Sequence, residues 1–103
     1  MEVKTKQALE SAKKFFEDAC TIFNTTVYHL HFMTLNQYTE SHYDNRLDSL
    51  VRHDKTWVVG ISFTYDWHSE KYQFRKITLT QQGEFAPLTV SKVEVWDGNP
   101  TQN

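Results

Sequence analysis

The residues of this chain best equipped for chemistry are five histidines and a single cysteine. His29 and His31 lie two apart, which puts both on one face of a strand, a spacing that can chelate a metal. His42, His53 and His68 could approach such a pair from loops. No Cys-x-x-Cys, His-Glu-x-x-His or carboxylate-rich loop accompanies them. The plainer reading is a solvated edge-strand face, so no metal site and no cofactor are expected. Cys20 could act as a nucleophile beside a histidine. It falls next to Ala19 on an apolar stripe, where a free cysteine is usually a small core residue. Glu40, His42, Asp44 and Asp48 are polar groups suited to acid–base work, but they occupy the stretch whose structure is hardest to read. No Ser-centred elbow and no Gly-rich phosphate loop appears. No catalytic residue is expected.

Recognition is the alternative to catalysis. Lys71-Tyr72-Gln73-Phe74-Arg75-Lys76 interleaves aromatics with positive charge, as surfaces for single-stranded nucleic acid do. It lacks the glycines of an RNA-recognition strand, and the whole chain carries a formal net charge of -2. Nucleic acid is therefore not the expected partner. No run of about 18 apolar residues is present, so no membrane span is expected. The first residues look helical rather than like a secretion signal, and a lone cysteine forms no internal disulfide. These features point to a reducing, cytoplasmic setting.

The elements that position these residues can be read from periodicity. The 103 residues suit one domain, 1–103. Ala8, Ala12, Phe15, Phe16, Ala19, Cys20, Ile22 and Phe23 recur at three- and four-residue steps, predicting a helix over residues 5–23. Asn24-Thr25-Thr26 then ends it. Strands are expected at residues 27–38, 57–65, 71–80 and 88–96, with a polar tail at 97–103. Residues 40–55 admit two readings. Leu47, Leu50 and Val51 sit at helical spacing behind a cap at Asp44, or the same stretch extends the strands.

Trp57, Val59, Ile61, Phe63, Tyr65 and Trp67 alternate onto one strand face. The face of Trp57 to Phe63 is expected to pack on Phe15, Phe16, Ala19 and Phe23 of the helix. Gly60, on the opposite face, marks a close approach or a weak point. Two later strands change phase: Tyr72 and Phe74 are even, Ile77 and Leu79 odd, and Leu88 and Val90 give way to Val93 and Val95. Bulges near Arg75-Lys76 and Ser91-Lys92 would reconcile these patterns, and the alternative is that both strands are buried on two faces for part of their length. The expected fold class is α+β, with an N-terminal amphipathic helix on a curved antiparallel sheet of about four strands.

Trp57-Val58-Val59-Gly60-Ile61-Ser62-Phe63, followed by Arg75, Ile77 and Leu79 leading to Gly83-Glu84, resembles small bacterial PepSY-like or cystatin-like α+β domains. The resemblance covers about residues 5–95, but residues 40–55 have no counterpart in it. Those families are mostly binding or inhibitory modules, so the resemblance implies binding and supplies no catalytic residues. The expectation is a small non-enzymatic protein-interaction domain, bacterial and cytoplasmic, of inhibitor, immunity or anti-defence type. The alternatives are a ligand-binding or enzymatic cone with a pocket between helix and sheet, and a structural homodimer. Large aromatics at a domain edge are costly to hydrate and are enriched in hot spots. Tyr65, Trp67, His68 and Trp96 are therefore the expected residues of a partner or dimer surface.

Overall fold

An amphipathic helix and a set of alternating strands each have one face to bury, and here each buries it against the other. The computed structural model describes residues 5–44, 50–83 and 85–98. Helix α1 (Thr5–Ile22) leads into strands β1 (Tyr28–Asp44), β2 (Leu50–Thr64), β3 (Gln73–Gln82) and β4 (Leu88–Val95). The sheet is antiparallel with order β1-β2-β3-β4, so every strand pairs with its chain neighbour. It does not close, and β1 and β4 are its edges. The α+β architecture expected from the sequence is the one observed.

The end of α1 follows directly from its sequence. Asn24 adopts a left-handed conformation with φ of 52°, which a short polar side chain tolerates better than most. Thr25 N–H donates to the Cys20 carbonyl at 2.8 Å, and Asn24 N–H to that of Thr21 at 3.2 Å. These two bonds form a Schellman cap, satisfying carbonyls that the helix would otherwise orphan and turning the chain into β1.

The core lies between α1 and the odd-numbered residues of β2 and β3. Val59, Ile61, Phe63, Ile77 and Leu79 are buried with Ala12, and Leu9, Phe16, Val27, Leu30 and Phe32 pack around them. Ala8 and Ala12 are 0% exposed. Their small side chains, one turn apart, let the helix backbone sit close to the sheet. The helix start is tied down by Thr5 Oγ1, which donates to Gln37 Oε1 of β1 at 2.6 Å.

The helix partners differ from the sequence expectation. Phe16 and Ala19 do face the sheet, but Phe15 is 42% and Phe23 78% exposed. The apolar stripe is wider than the surface the sheet offers. The line Ala8, Ala12, Phe16 takes the centre, Phe15 falls to its flank, and Phe23 lies past the last helical residue.

Only one of the two expected bulges exists. Thr78 pairs with Lys92 and Leu79 with Val90, leaving Ser91 as the extra residue on β4. Its hydroxyl donates to the Thr78 carbonyl at 3.2 Å. By contrast β3 pairs with β2 without a slip from Gln73 to Gln82. Its phase change reflects two buried surfaces rather than a kink. Ile77 and Leu79 face the helix, while Phe74 faces the other side, where Trp96 and Gly98 lie against it.

Residues 40–44 and 50–55 extend the strands, and residues 45–49 between them lie outside the described residues. Residues 40–44 pair in continuous register with 50–54, and β3 joins only from Asp54 onward, so this end of the hairpin is a two-stranded arm. Leu47, Asp48, Glu84 and the expected tail from residue 99 lie outside the described residues. Gly83 turns β3 toward β4 at φ of 90°, a left-handed value that glycine adopts without a Cβ penalty.

Candidate functional site

The β2–β3 connection, residues 65–72, is held by its own polar side chains. Asp66 Oδ1 accepts from the His68 N–H at 3.1 Å, and Ser69 Oγ accepts from the Lys71 N–H at 3.0 Å. Both are side-chain mimics of a backbone turn. Ser69 N–H also reaches the Asp66 carbonyl at 3.1 Å. Thr64 is fully buried beneath, with its hydroxyl 3.0 Å from the Asp66 carbonyl. The loop therefore has a defined shape.

That shape presents Trp67. Its indole is 59% exposed, yet two rings brace it: Tyr28 edge-on at 5.8 Å between centroids and His29 tilted at 4.9 Å. His29 Nε2 lies 2.9 Å from the Trp67 carbonyl. A carbonyl only accepts, so this ring nitrogen carries a hydrogen. His29 has φ of 55°, and the β1 register slips between Tyr28 and His31. A left-handed non-glycine residue is locally strained and persists only where surrounding contacts hold it.

The other expected residues are placed unevenly. Tyr65 and His68 are exposed, and the Tyr65 ring stands edge-on to Phe63 at 5.3 Å. Trp96 is only 8% exposed. Just past the end of β4 it turns back over the face opposite the helix, edge-on to Phe74 at 5.7 Å. A Cβ at Gly60 would come 2.8 Å from its ring, so Gly60 is the notch that admits the indole. Trp96 belongs to the packing of the open face, not to the hairpin surface.

The candidates for catalysis and metal binding are dispersed. His29 turns to Trp67, while His31 lines a small cavity with Met33, Gly60 and Trp96, so the pair does not share a ligand. Among the described residues no group of three His, Cys, Asp or Glu side chains comes together around a point. His53 lies 2.8 Å from Ser41 Oγ, as an exposed cross-strand pair on the arm. Burial, and after it the Glu17 carboxylate, push the Cys20 thiol above its ordinary value, so the thiol is a poor nucleophile near neutrality.

A cavity of about 160 Å³ opens beside Cys20, between the C-terminal end of α1 and the sheet. Phe16, Ala19, Phe23, Val27 and Phe63 supply its apolar wall, and Tyr65 and Arg75 its polar rim. Sequence reasoning missed Arg75 as a cavity residue. The signal was present, since counting back by twos from Leu79 and Ile77 reaches Arg75 on the helix-facing side. The conformation of His29 had no comparable signal.

Among the described residues no helix is long and apolar enough to cross a membrane. Comparison with family models, with curated proteins and with solved structures finds no match to this chain.

Proposed function

We propose that this protein is a small non-enzymatic protein-interaction domain, bacterial and cytoplasmic, of inhibitor, immunity or anti-defence type. The hairpin at residues 65–72 is its docking element and Trp67 its anchor. The observation that carries this reading is an indole that is exposed and yet held in place. Tyr28 and His29 fix the ring, and the turn bonds of Asp66 and Ser69 fix the loop. A partner meeting this surface would immobilise little that is not already ordered, which lowers the entropic cost of association. Tyr65 and His68 flank the anchor. Resemblance to PepSY-like or cystatin-like binding modules agrees with this role, and a second copy of the chain is one candidate partner.

Site-specific photo-cross-linking tests the proposal. A photoreactive phenylalanine replaces Trp67 in one variant and Phe85 in another. Phe85 is 92% exposed and lies at the β3–β4 turn, the opposite end of the sheet. Cross-links in the native host from position 67 but not from position 85 are expected. Equal cross-linking from both positions, or none from position 67, would remove the hairpin from the functional surface.

A further inference from the structure

The cavity at the C-terminal end of α1 has a chemistry that the hairpin does not use. It is a cleft open to solvent with a volume of about 160 Å³, enough for a group about the size of benzene. Its wall is mostly carbon, from Phe16, Ala19, Phe23 and Phe63, so an apolar group of one-ring size fills it. Arg75 stands at the rim. Its guanidinium carbon lies 5.4 Å from the centre of the Phe63 ring, and Nη1 donates to the Phe74 carbonyl at 2.8 Å. These two contacts fix the plane of the group. Arg75 is half-buried, and among the described residues no carboxylate pairs with it. The Glu17 carboxylate, which acts on Cys20, is not part of the lining.

A cation partly withdrawn from water without a counter-charge is costly, and an arriving anion recovers part of that cost. Guanidinium donors in a fixed plane match a carboxylate in particular, through two parallel N–H bonds. The apolar wall rejects small hydrated anions, which have no carbon to bury there. We infer that this cavity binds a small apolar monocarboxylate, its ring or short chain among Phe16, Phe23 and Phe63 and its carboxylate on Arg75. This inference goes beyond the docking role of the hairpin and does not require Trp67.

The test is a titration followed by amide resonances of the ¹⁵N-labelled protein, with phenylacetate and its neutral analogue phenylacetamide as probes. Phenylacetate is expected to bind in the range of about 0.1 to 10 mM, usual for a ligand of this size. The shifts should centre on Ala19, Thr25, Val27 and Tyr65. Phenylacetamide should bind about tenfold more weakly, the loss expected from replacing a charged hydrogen-bonding partner with a neutral one. Arg75→Gln should erase that difference. Ala19→Leu, which fills the cavity without touching Arg75, should abolish binding of both probes and decides the matter if Arg75→Gln does not fold. Trp67→Ala should leave phenylacetate binding unchanged. Equal affinity of the two probes for the unsubstituted protein would overturn the inference. So would shifts away from the cavity, no binding at all, or phenylacetate affinity retained in Ala19→Leu.

Discussion

The two ends of α1 meet the sheet in opposite ways. Near its start, Ala8 and Ala12 are 0% exposed above a sheet that includes a fully buried Trp57. Near its end, past Phe16, the residues Ala19, Cys20 and Phe23 line a cavity instead of a closed core. Phe23 forms part of its wall, yet it and Ile22 are largely exposed. The β2–β3 hairpin with Trp67 lies at this second, looser end. The cavity and the exposed hairpin surface lie together at the second end.

Substitutions can break that contrast, and the largest effect is expected where the two ends meet. The Phe16 ring touches Phe63 at 5.1 Å and Phe32 at 6.3 Å between centroids. Phe16→Ala should cost about 3 to 5 kcal/mol in urea denaturation, as deletion of a core aromatic does. A loss below about 1 kcal/mol would mean that the helix does not pack on the sheet as described. The next effect concerns the open face. Gly60→Ala should cost about 1 to 3 kcal/mol, since the new methyl collides with Trp96 and Leu35. An unchanged midpoint would show that Trp96 does not rest on Gly60. At the loose end the expectation reverses, and Phe23→Ser should stay within about 0.5 kcal/mol of the parent. A larger loss would place Phe23 in the core.

The smallest effect is kinetic. Because burial and Glu17 hold the Cys20 thiol above its ordinary value, the thiolate fraction is low at neutral pH and grows as pH rises. Alkylation by iodoacetamide should therefore be slower than that of free cysteine at pH 8 and should still be accelerating above the pH where free cysteine levels off. A rate at pH 8 equal to that of free cysteine would contradict the shielded position.

Much of the closely packed end was legible in the sequence and little of the loose end was. Period 3.6 in residues 5–23 and period 2 from Trp57 to Phe63 recover α1, β2 and their mutual packing, because each element presents one continuous apolar face. The arm at residues 40–44 and 50–54 admitted two readings, since its sequence carries no clear apolar alternation and β3 runs beside it only from Asp54 onward. Phe15 and Phe23 were misplaced because periodicity shows which residues share a stripe but not how wide the opposing surface is. Trp96 was misplaced for a related reason. Its chain neighbours are polar, and only the pairing of β2 with β3 and β3 with β4 brings the notch at Gly60 beneath it. Exposure at Tyr65, Trp67 and His68 was readable, because polar residues crowd the same loop.

The division of labour is tested most directly by one variant measured in two ways. Trp67→Ala should keep the melting temperature within a few degrees of the parent, because the indole is exposed and lies outside the core. The same variant should weaken self-association or partner binding by about 2 kcal/mol or more, roughly thirtyfold, as loss of a hot-spot residue does. A large fall in melting temperature with association unchanged would assign Trp67 to the packing of the domain and contradict its role as an anchor.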